Sequence, residues 1–347
     1  MSEFDAAPGE APRKVLITGG HEVGGVGSFA EALMEGFLEL NISAEIISPG
    51  AVPSRWREVR DPSVLLILST SAIFAAPFAA RSLCVAHGFP GAGQIGRIRF
   101  FGHLCADKLA SSCRNAQLVT VSEYAAAHFR TVFDLPAHVI RNPVKRIFQE
   151  SPEDRTSQRT WITYAGRLAP VKNIPLFLPA VMDLLNAHPE LNACVIGVGP
   201  ERKRIEQVAA NHPRVELTGA ISDHALRDRL RKTAVFISAN ETEQFGISYL
   251  EALSQGCSVV MPACGGGLEI APHLIGSQVQ LAPLPLERDT LYSSLCRALA
   301  SSRAPIEIAP YSPKAVAAAY LRLDLSRRIS RKHAVPTPGK RGSPTEA

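Results

Sequence analysis

Short apolar runs alternate along the chain with segments whose apolar residues recur every three or four positions, the pattern of strands alternating with helices. Residues 14–18 read as a buried strand ending at Gly19 and Gly20. Glycines over 24–27 lead into a helical pattern across 29–40, and 44–48 gives a second strand. The pattern continues as strand, helix, strand over 64–86, a helix over 100–116, a strand over 117–121 and a helix over 124–132 capped by Ser122. Residues 149–159, QESPEDRTSQR, contain no apolar run and read as a linker. A second series follows, with strands at 160–164, 193–197 and 215–219, a helix ending near 210, and a helix over 225–232 behind Ser222. These divisions predict an α/β chain of two Rossmann-like domains, 13–148 and 160–311. A terminal helix over 312–330, a disordered start at 1–12 and a basic disordered tail at 331–347 complete it.

The most informative stretch is 234–261, AVFISANETEQFGISYLEALSQGCSVVM, which reads strand, loop, helix, strand. Ligands of open α/β sheets sit beyond the carboxyl ends of strands, at the helix amino ends. Glu243 falls in that loop and Glu251 roughly one to two turns into the helix. The pair brackets a helix amino end suited to an anion.

Composition narrows the class. Hydrophobic residues make up 46% and charged residues 20% of 347, values of an ordinary globular protein. The net charge of +5 is concentrated in Arg327, Arg328, Arg331, Lys332, Lys340 and Arg341, so the body is nearly neutral and nucleic acid is not implied. That basic tail is a candidate for docking on an anionic membrane. Seven scattered cysteines without a C-x2-C pair suggest free thiols in a reducing compartment. The acidic, polar first residues do not read as a signal peptide, and the expected location is cytoplasmic, with peripheral contact at the inner membrane through the tail.

Gly25-Val-Gly27-Ser-Phe-Ala30 matches the dinucleotide fingerprint G-x-G-x-x-A, with Glu45 about 20 residues on as a ribose-binding acid. An NAD(P)-dependent oxidoreductase is therefore one reading. Against it, the glycines begin well after the strand end, and Glu45 opens the second strand instead of closing it.

A different resemblance covers about residues 14–270. Glu243-Gln-Phe-Gly-Ile-Ser-Tyr-Leu-Glu251, followed by Ala-Leu-Ser-Gln-Gly-Cys-Ser-Val-Val-Met-Pro262, is similar to the E-x7-E signature of the retaining group 1 glycosyltransferases related to glycogen and sucrose synthases. Val139 to Phe148 resembles that family's V-I-x-N-G-V-x-x-x-F, with Pro143 for the glycine. Gly166-Arg167-Leu168 through Lys172 resembles its G-R-L-x-x-x-K-G, with Asn173 for the last glycine. Gly197-Val-Gly199-Pro-Glu201 is similar to G-x-G-P-E, and Gly265 to Glu269 to G-G-x-x-E. The usual D-G-x-N-G is replaced by His273 to Ser277.

The resemblance implies a GT-B fold, two Rossmann-like domains facing each other across a cleft. It implies transfer of a sugar from a nucleotide diphosphate, UDP or GDP, to a saccharide or lipid-linked acceptor with retention and without a metal. Arg167 and Lys172 would neutralise the leaving phosphates, Glu243 and His87 would act at the sugar, and Glu251 would accept from the ribose hydroxyls. Gly25, Gly166, Gly199, Phe245, Gly246 and Ile247 would approach the donor. The chain contains no D-x-D and no His or Cys cluster at metal spacing, so no metal ligand is assigned. A non-catalytic nucleotide-sugar-binding paralogue remains a third reading, because the departures at Asn173 and beyond Glu269 fall in a donor-facing region.

Overall fold

The computed structural model describes residues 11–19, 25–88, 97–150, 159–210, 212–270 and 272–332. Of the disorder expected at 1–12 and 331–347, residues 1–10 and 333–347 lie outside the described residues, as do 20–24, 89–96 and linker residues 151–158, whereas Arg331 and Lys332 close the helix Pro313–Lys332.

Two all-parallel six-stranded sheets organise the chain. The first runs β2 (Ser43–Ile47), β1 (Lys14–Thr18), β3 (Val64–Ser69), β4 (Ser82–Ala86), β5 (Ala116–Thr120), β6 (His138–Val139). The second runs β12 (Val279–Ala282), β11 (Ser258–Pro262), β10 (Thr233–Ile237), β7 (Trp161–Ala165), β8 (Asn192–Ile196), β9 (Val215–Gly219). Strands covered on both faces lose the polar alternation of a half-exposed sheet. Every residue of β3, β4, β10 and β11 is buried, which is why VLLILS and TAVFI read as unbroken apolar runs.

The strand order reverses between β1 and β3 in one sheet and between β7 and β10 in the other. A crevice opens at such a reversal because the flanking connections leave toward opposite faces of the sheet. The loop after β7 carries Arg167 and Lys172, and the loop after β10 carries Glu243.

Three elements differ from the expectation. The helix placed at 29–40 begins earlier, as Gly25–Glu39, so the glycines Gly25 and Gly27 occupy its first turn. The helix placed at 100–116 is Arg97–Ser112, and Ala116 opens β5 instead. Between β3 and β4 the chain winds as a 3-10 segment, Thr70–Phe78, not an α-helix. Pro77 lies within that segment and would deny an α-helix one of its ladder hydrogen bonds.

The terminal helix, Pro313–Lys332, returns to the first sheet and packs along Gly25–Glu39. The approach is close enough that a Cβ on Gly36 would collide with the Pro313 carbonyl. Arg81, at the edge of β4, forms a buried ion pair with Asp324 of that helix, its Nε donating to Oδ1 at 3.2 Å.

Candidate functional site

A cavity of about 420 Å³ lies between the halves, at the carboxyl ends of both sheets. The first half contributes Gly25, Val26 and Ser28 from a helix amino end, His87 beyond β4, and Asn142 beyond β6. The second half contributes Gly166, Arg167 and Lys172 after β7, and Glu243 through Ser248 with Glu251 after β10.

Lys172 and Glu243 are paired across the β7/β10 crevice, Nζ to Oε2 at 2.8 Å, and both are about one-fifth exposed. Asn240 Nδ2 donates to the same oxygen at 2.8 Å. Burial alone pushes the Glu243 carboxyl upward. The Lys172 ammonium, the Asn240 amide and the Phe245 N–H together outweigh it and hold the group below the ordinary carboxylate range. Arg167 is exposed and carries no ion pair among the described residues, so its guanidinium is available to a ligand. Its carbonyl accepts from the Tyr164 hydroxyl at 2.9 Å, which anchors the loop.

Asn173 stands where the expected motif has a glycine. It sits at φ 50°, ψ 34°, and donates from Nδ2 to the Ala239 carbonyl at 3.1 Å. Asparagine is among the few side chains that tolerate this left-handed region. At the other departure, Gly276 makes a turn at φ +84° between β11 and β12.

The Ile247–Ser254 helix points its amino end into the cavity and has no side-chain cap. The Tyr249 amide turns back to the Gly246 carbonyl at 3.0 Å, which leaves the Ile247 and Ser248 amides to meet an anion. Gly246 precedes it at φ +92°, and a Cβ there would lie 2.4 Å from the Tyr249 ring. Behind this loop the Gly266 amide donates to the Glu243 carbonyl at 2.8 Å, and a Cβ on Gly266 would come within 1.9 Å of the Gln244 carbonyl. The glycine run 265–267 thus braces the Glu243 segment from below.

Glu251 is 8% exposed, and no described side chain donates to its carboxylate. Burial, reinforced by Asp223 and opposed by Lys145, raises it to about 7. Asp223 also accepts from Lys145 Nζ at 2.7 Å, joining the halves, and Lys145 pairs with Glu31 as well. His87 stacks edge-on against Phe29, centroids 4.5 Å apart, and its Nε2 is buried without a partner among the described residues. Burial pushes the imidazole down to about 4, so it is neutral near pH 7. Asn142, 5% exposed, presents an Oδ1 that also has no partner among the described residues.

Of the residues that the glycosyltransferase resemblance assigns to the donor or to catalysis, the cavity brings together all but Gly199, in whose stead Gly197 lines it. Glu45, the acid of the dinucleotide reading, is not in the lining. Its carboxylate is held by Lys14 at 2.7 Å and by Arg55 at 2.9 Å, and it titrates at about 2, with the Arg55 hydrogen bond the largest cause. Ser28 and Asp223 also line the cavity without having been expected there, and Lys145, outside the lining, pairs with Asp223 only because the two halves dock. The sequence marked Glu269 only within a loop motif. That carboxylate crosses the cleft to accept from the amides of Glu123 and Tyr124 at 2.9 and 2.6 Å, capping the Glu123–Phe133 helix of the opposite half. Among the described residues no three His, Cys, Asp or Glu side chains are gathered to hold a metal, and no helix is long and apolar enough to cross a membrane.

Residues 146–277 match the family described as Glycosyl transferases group 1. The sulfoquinovosyl transferase SQD2 of Arabidopsis thaliana is 32% identical over 116 residues, 33% of this chain and 22% of that protein. The phosphatidylinositol N-acetylglucosaminyltransferase gpi3 subunit of Schizosaccharomyces pombe is 27% identical over 128 residues, 36% of this chain and 28% of that protein. The GDP-mannose-dependent alpha-mannosyltransferase of Mycolicibacterium smegmatis is 29% identical over 137 residues, 37% of this chain and 34% of that protein. The matches to the first curated relatives thus span about a quarter of their length. Among solved structures, AviGT4, a glycosyltransferase involved in avilamycin A biosynthesis, superposes with a TM-score of 0.68 at 17% identity, covering 93% of this chain and 99% of that one. Anabaena HepE in complex with UDP and glucose gives 0.65 at 15% identity, covering 92% and 99%. The fold is GT-B.

Proposed function

We propose, from the match of residues 146–277 to the family described as Glycosyl transferases group 1, that the chain is a member of that family and moves a sugar from a nucleotide diphosphate to a saccharide or lipid-linked acceptor. The observation that carries this reading is a convergence. The unpaired Arg167, the Lys172 ammonium and the uncapped amino end of Ile247–Ser254 share one cavity. Cleaving a sugar from its carrier leaves negative charge on the diphosphate, and fixed cations and amides at that place lower the barrier. Arginine grips two phosphate oxygens at once, and lysine acts as a point charge.

Glu251 accepts from the ribose hydroxyls in this scheme, while Glu243, kept ionised, faces the sugar and offsets positive character at the anomeric carbon. The neutral His87 offers a hydrogen bond from the opposite half. The acceptor hydroxyl attacks on the face the phosphate leaves, its proton passes to the departing phosphate oxygen, and configuration is retained. The Gly25–Glu39 amino end closes the far side of the donor. Charge neutralisation by Arg167 and Lys172 gives a reaction that needs no divalent ion. Named activities of relatives, one on phosphatidylinositol and one using GDP-mannose, support a nucleotide-sugar donor and a lipid-linked acceptor.

The dinucleotide alternative has little support, because Gly25 and Gly27 lie inside a helix and Glu45 is tied into a separate ion-pair cluster. Calorimetric titration with UDP-, GDP- and ADP-sugars, followed by turnover with EDTA present, tests the reading. One nucleotide sugar should bind and turn over despite the chelator. Absence of binding by all three, or NAD(P) binding in their place, would overturn it.

A further inference from the structure

A three-membered ion pair crosses the cleft at its Glu251 end, and the transfer chemistry above makes no use of it. The chain after β6 is pinned on both sides of Lys145. The Val144 amide donates to the Tyr311 carbonyl at 2.8 Å, and the buried Phe148 accepts at its carbonyl from Gln255 Nε2 at 2.8 Å. Lys145 itself is 8% exposed. An ammonium so enclosed needs carboxylates beside it. It has two. Glu31 comes from the Gly25–Glu39 helix of the first half, and Asp223, which opens the Asp223–Arg231 helix of the second, accepts from Nζ at 2.7 Å. Burial works against the charge, but the hydrogen bonds to Asp223 and Glu31 outweigh it and raise the ammonium above its ordinary range.

Two members of this bridge bear on Glu251. Asp223 lines the same cavity, and its charge opposes ionisation of the Glu251 carboxyl, while Lys145 favours it. The other titratable groups of the lining are Arg167, Lys172, Glu243 and His87, and none acts appreciably on Glu251. Lys172 and Glu243 satisfy each other, and His87 is neutral near pH 7. Asp223 has a local reason to be where it is, since Ser222 caps that helix and the dipole favours an acid in its first turn. Lys145 has no such local reason. Its ammonium reaches out of the first half to meet the one acid whose charge works against Glu251.

We propose that Lys145 is a positioning residue of the nucleoside site: reaching across the cleft, it neutralises Asp223 and prepares the Glu251 carboxylate to accept from the ribose, so that the second half grips a nucleotide fully only when the first is docked on it. This rests on the nucleotide-sugar reading above. A nucleotide that binds better with Lys145 in place favours the docked arrangement in return, by as much as its affinity differs between the two. Lys145→Met and Asp223→Asn break the same ion pair from opposite ends, yet they change the field at Glu251 in opposite senses. Without the cation, Asp223 acts unopposed and Glu251 ionises less readily. Without the Asp223 charge, Lys145 acts unopposed and Glu251 ionises more readily. A pairing that merely fastened the halves together would be lost equally in both variants.

Calorimetric titration of the full chain and its variants with UDP, GDP and ADP, from about pH 6 to about pH 9, tests it. All proteins meet the same nucleotide, so the ionisation of its phosphates cancels in the comparison. Wild-type affinity should rise as Glu251 ionises around pH 7 and level off above. The midpoint of that rise should move up by about one pH unit in Lys145→Met and down by about one in Asp223→Asn. Near pH 6, taken relative to each protein's own plateau, binding should then be roughly tenfold weaker than wild type in the first and roughly fivefold tighter in the second. Lys145→Arg, which keeps the charge, should follow the wild-type profile. If Lys145→Met does not fold, the direction in which Asp223→Asn moves the midpoint decides alone. Midpoints that stay in place, or move the same way in both variants, in a chain that binds nucleotide would overturn the proposal and leave the transferase reading standing. A wild-type chain that binds none of the three at any pH would overturn that reading and the proposal with it.

Discussion

Replacing Glu251 by Gln should make the protein more stable and a poorer binder of nucleotides, and the two effects should divide by pH. Burial raises the Glu251 carboxyl from the ordinary 4.5 to about 7, a rise of about 2.5 units. Folding therefore favours the protonated form. Below pH 4.5 the group is protonated in both states and costs nothing. As pH climbs from 4.5 to about 7 the unfolded chain gives up its proton while the folded one retains it, and stability falls. Above about 7 the loss is complete. At about 1.4 kcal/mol per unit the whole loss is on the order of 3 kcal/mol. Glutamine does not ionise, so urea unfolding near pH 8 should find Glu251→Gln more stable by up to about 3 kcal/mol, with the gap closing toward pH 4.5. In the proposed complex the same carboxylate accepts from the ribose, and losing a charged acceptor costs about 1.5–3 kcal/mol, roughly ten- to a hundredfold in affinity. A stability difference that does not change with pH, or a variant less stable near pH 8, would show that Glu251 is not held in the environment described.

Other outcomes follow from single contacts. Lys172→Met should lower kcat/KM by about 2–4 kcal/mol of transition-state stabilisation, and an unchanged rate would remove Lys172 from the leaving-group role. Gly246→Ala places a side chain at φ +92° and 2.4 Å from the Tyr249 ring. It should cost about 1–3 kcal/mol in denaturant unfolding and weaken diphosphate binding, and wild-type values for both would contradict the packing described. Glu269→Ala removes the acceptor of the Glu123 and Tyr124 amides. Those two amides should exchange with solvent about tenfold faster, at about 1–2 kcal/mol for a lost cap, while β5 is unaffected.

The parallel strands were legible because burial on both faces writes itself as an unbroken apolar run, as in VLLILS and TAVFI. Glu243 and Glu251 were legible because a strand end and a helix start fix where side chains emerge. Arg167 and Lys172 belong to the same logic at the end of β7, the strand beside β10 in the sheet. The 3-10 segment at Thr70–Phe78 was not, since TSAIFAAPF is as apolar as a buried helix and only Pro77 hints otherwise. The pairing of Lys145 with Asp223 spans 78 positions, and that of Glu269 with Tyr124 spans 145. Neither leaves a periodic trace, because each exists only once two separately folded sheets have met. Glu45 misled for a related reason: its spacing from Gly25 suits a ribose, but spacing does not reveal that Lys14 and Arg55 already hold it.

Arg81 and Asp324 stand 243 positions apart, yet they close one buried ion pair in the first half. The amino-terminal lobe is consequently discontinuous in the gene, with the whole second lobe spliced between its parts. A ribosome that has released only the first sheet has made a body with one bare helix flank and a cation awaiting its counterion. Completion of that lobe must wait for the last helix to emerge. A cut near residue 150 would therefore yield two fragments, neither self-sufficient, the first lacking the helix Pro313–Lys332 that covers Gly25–Glu39.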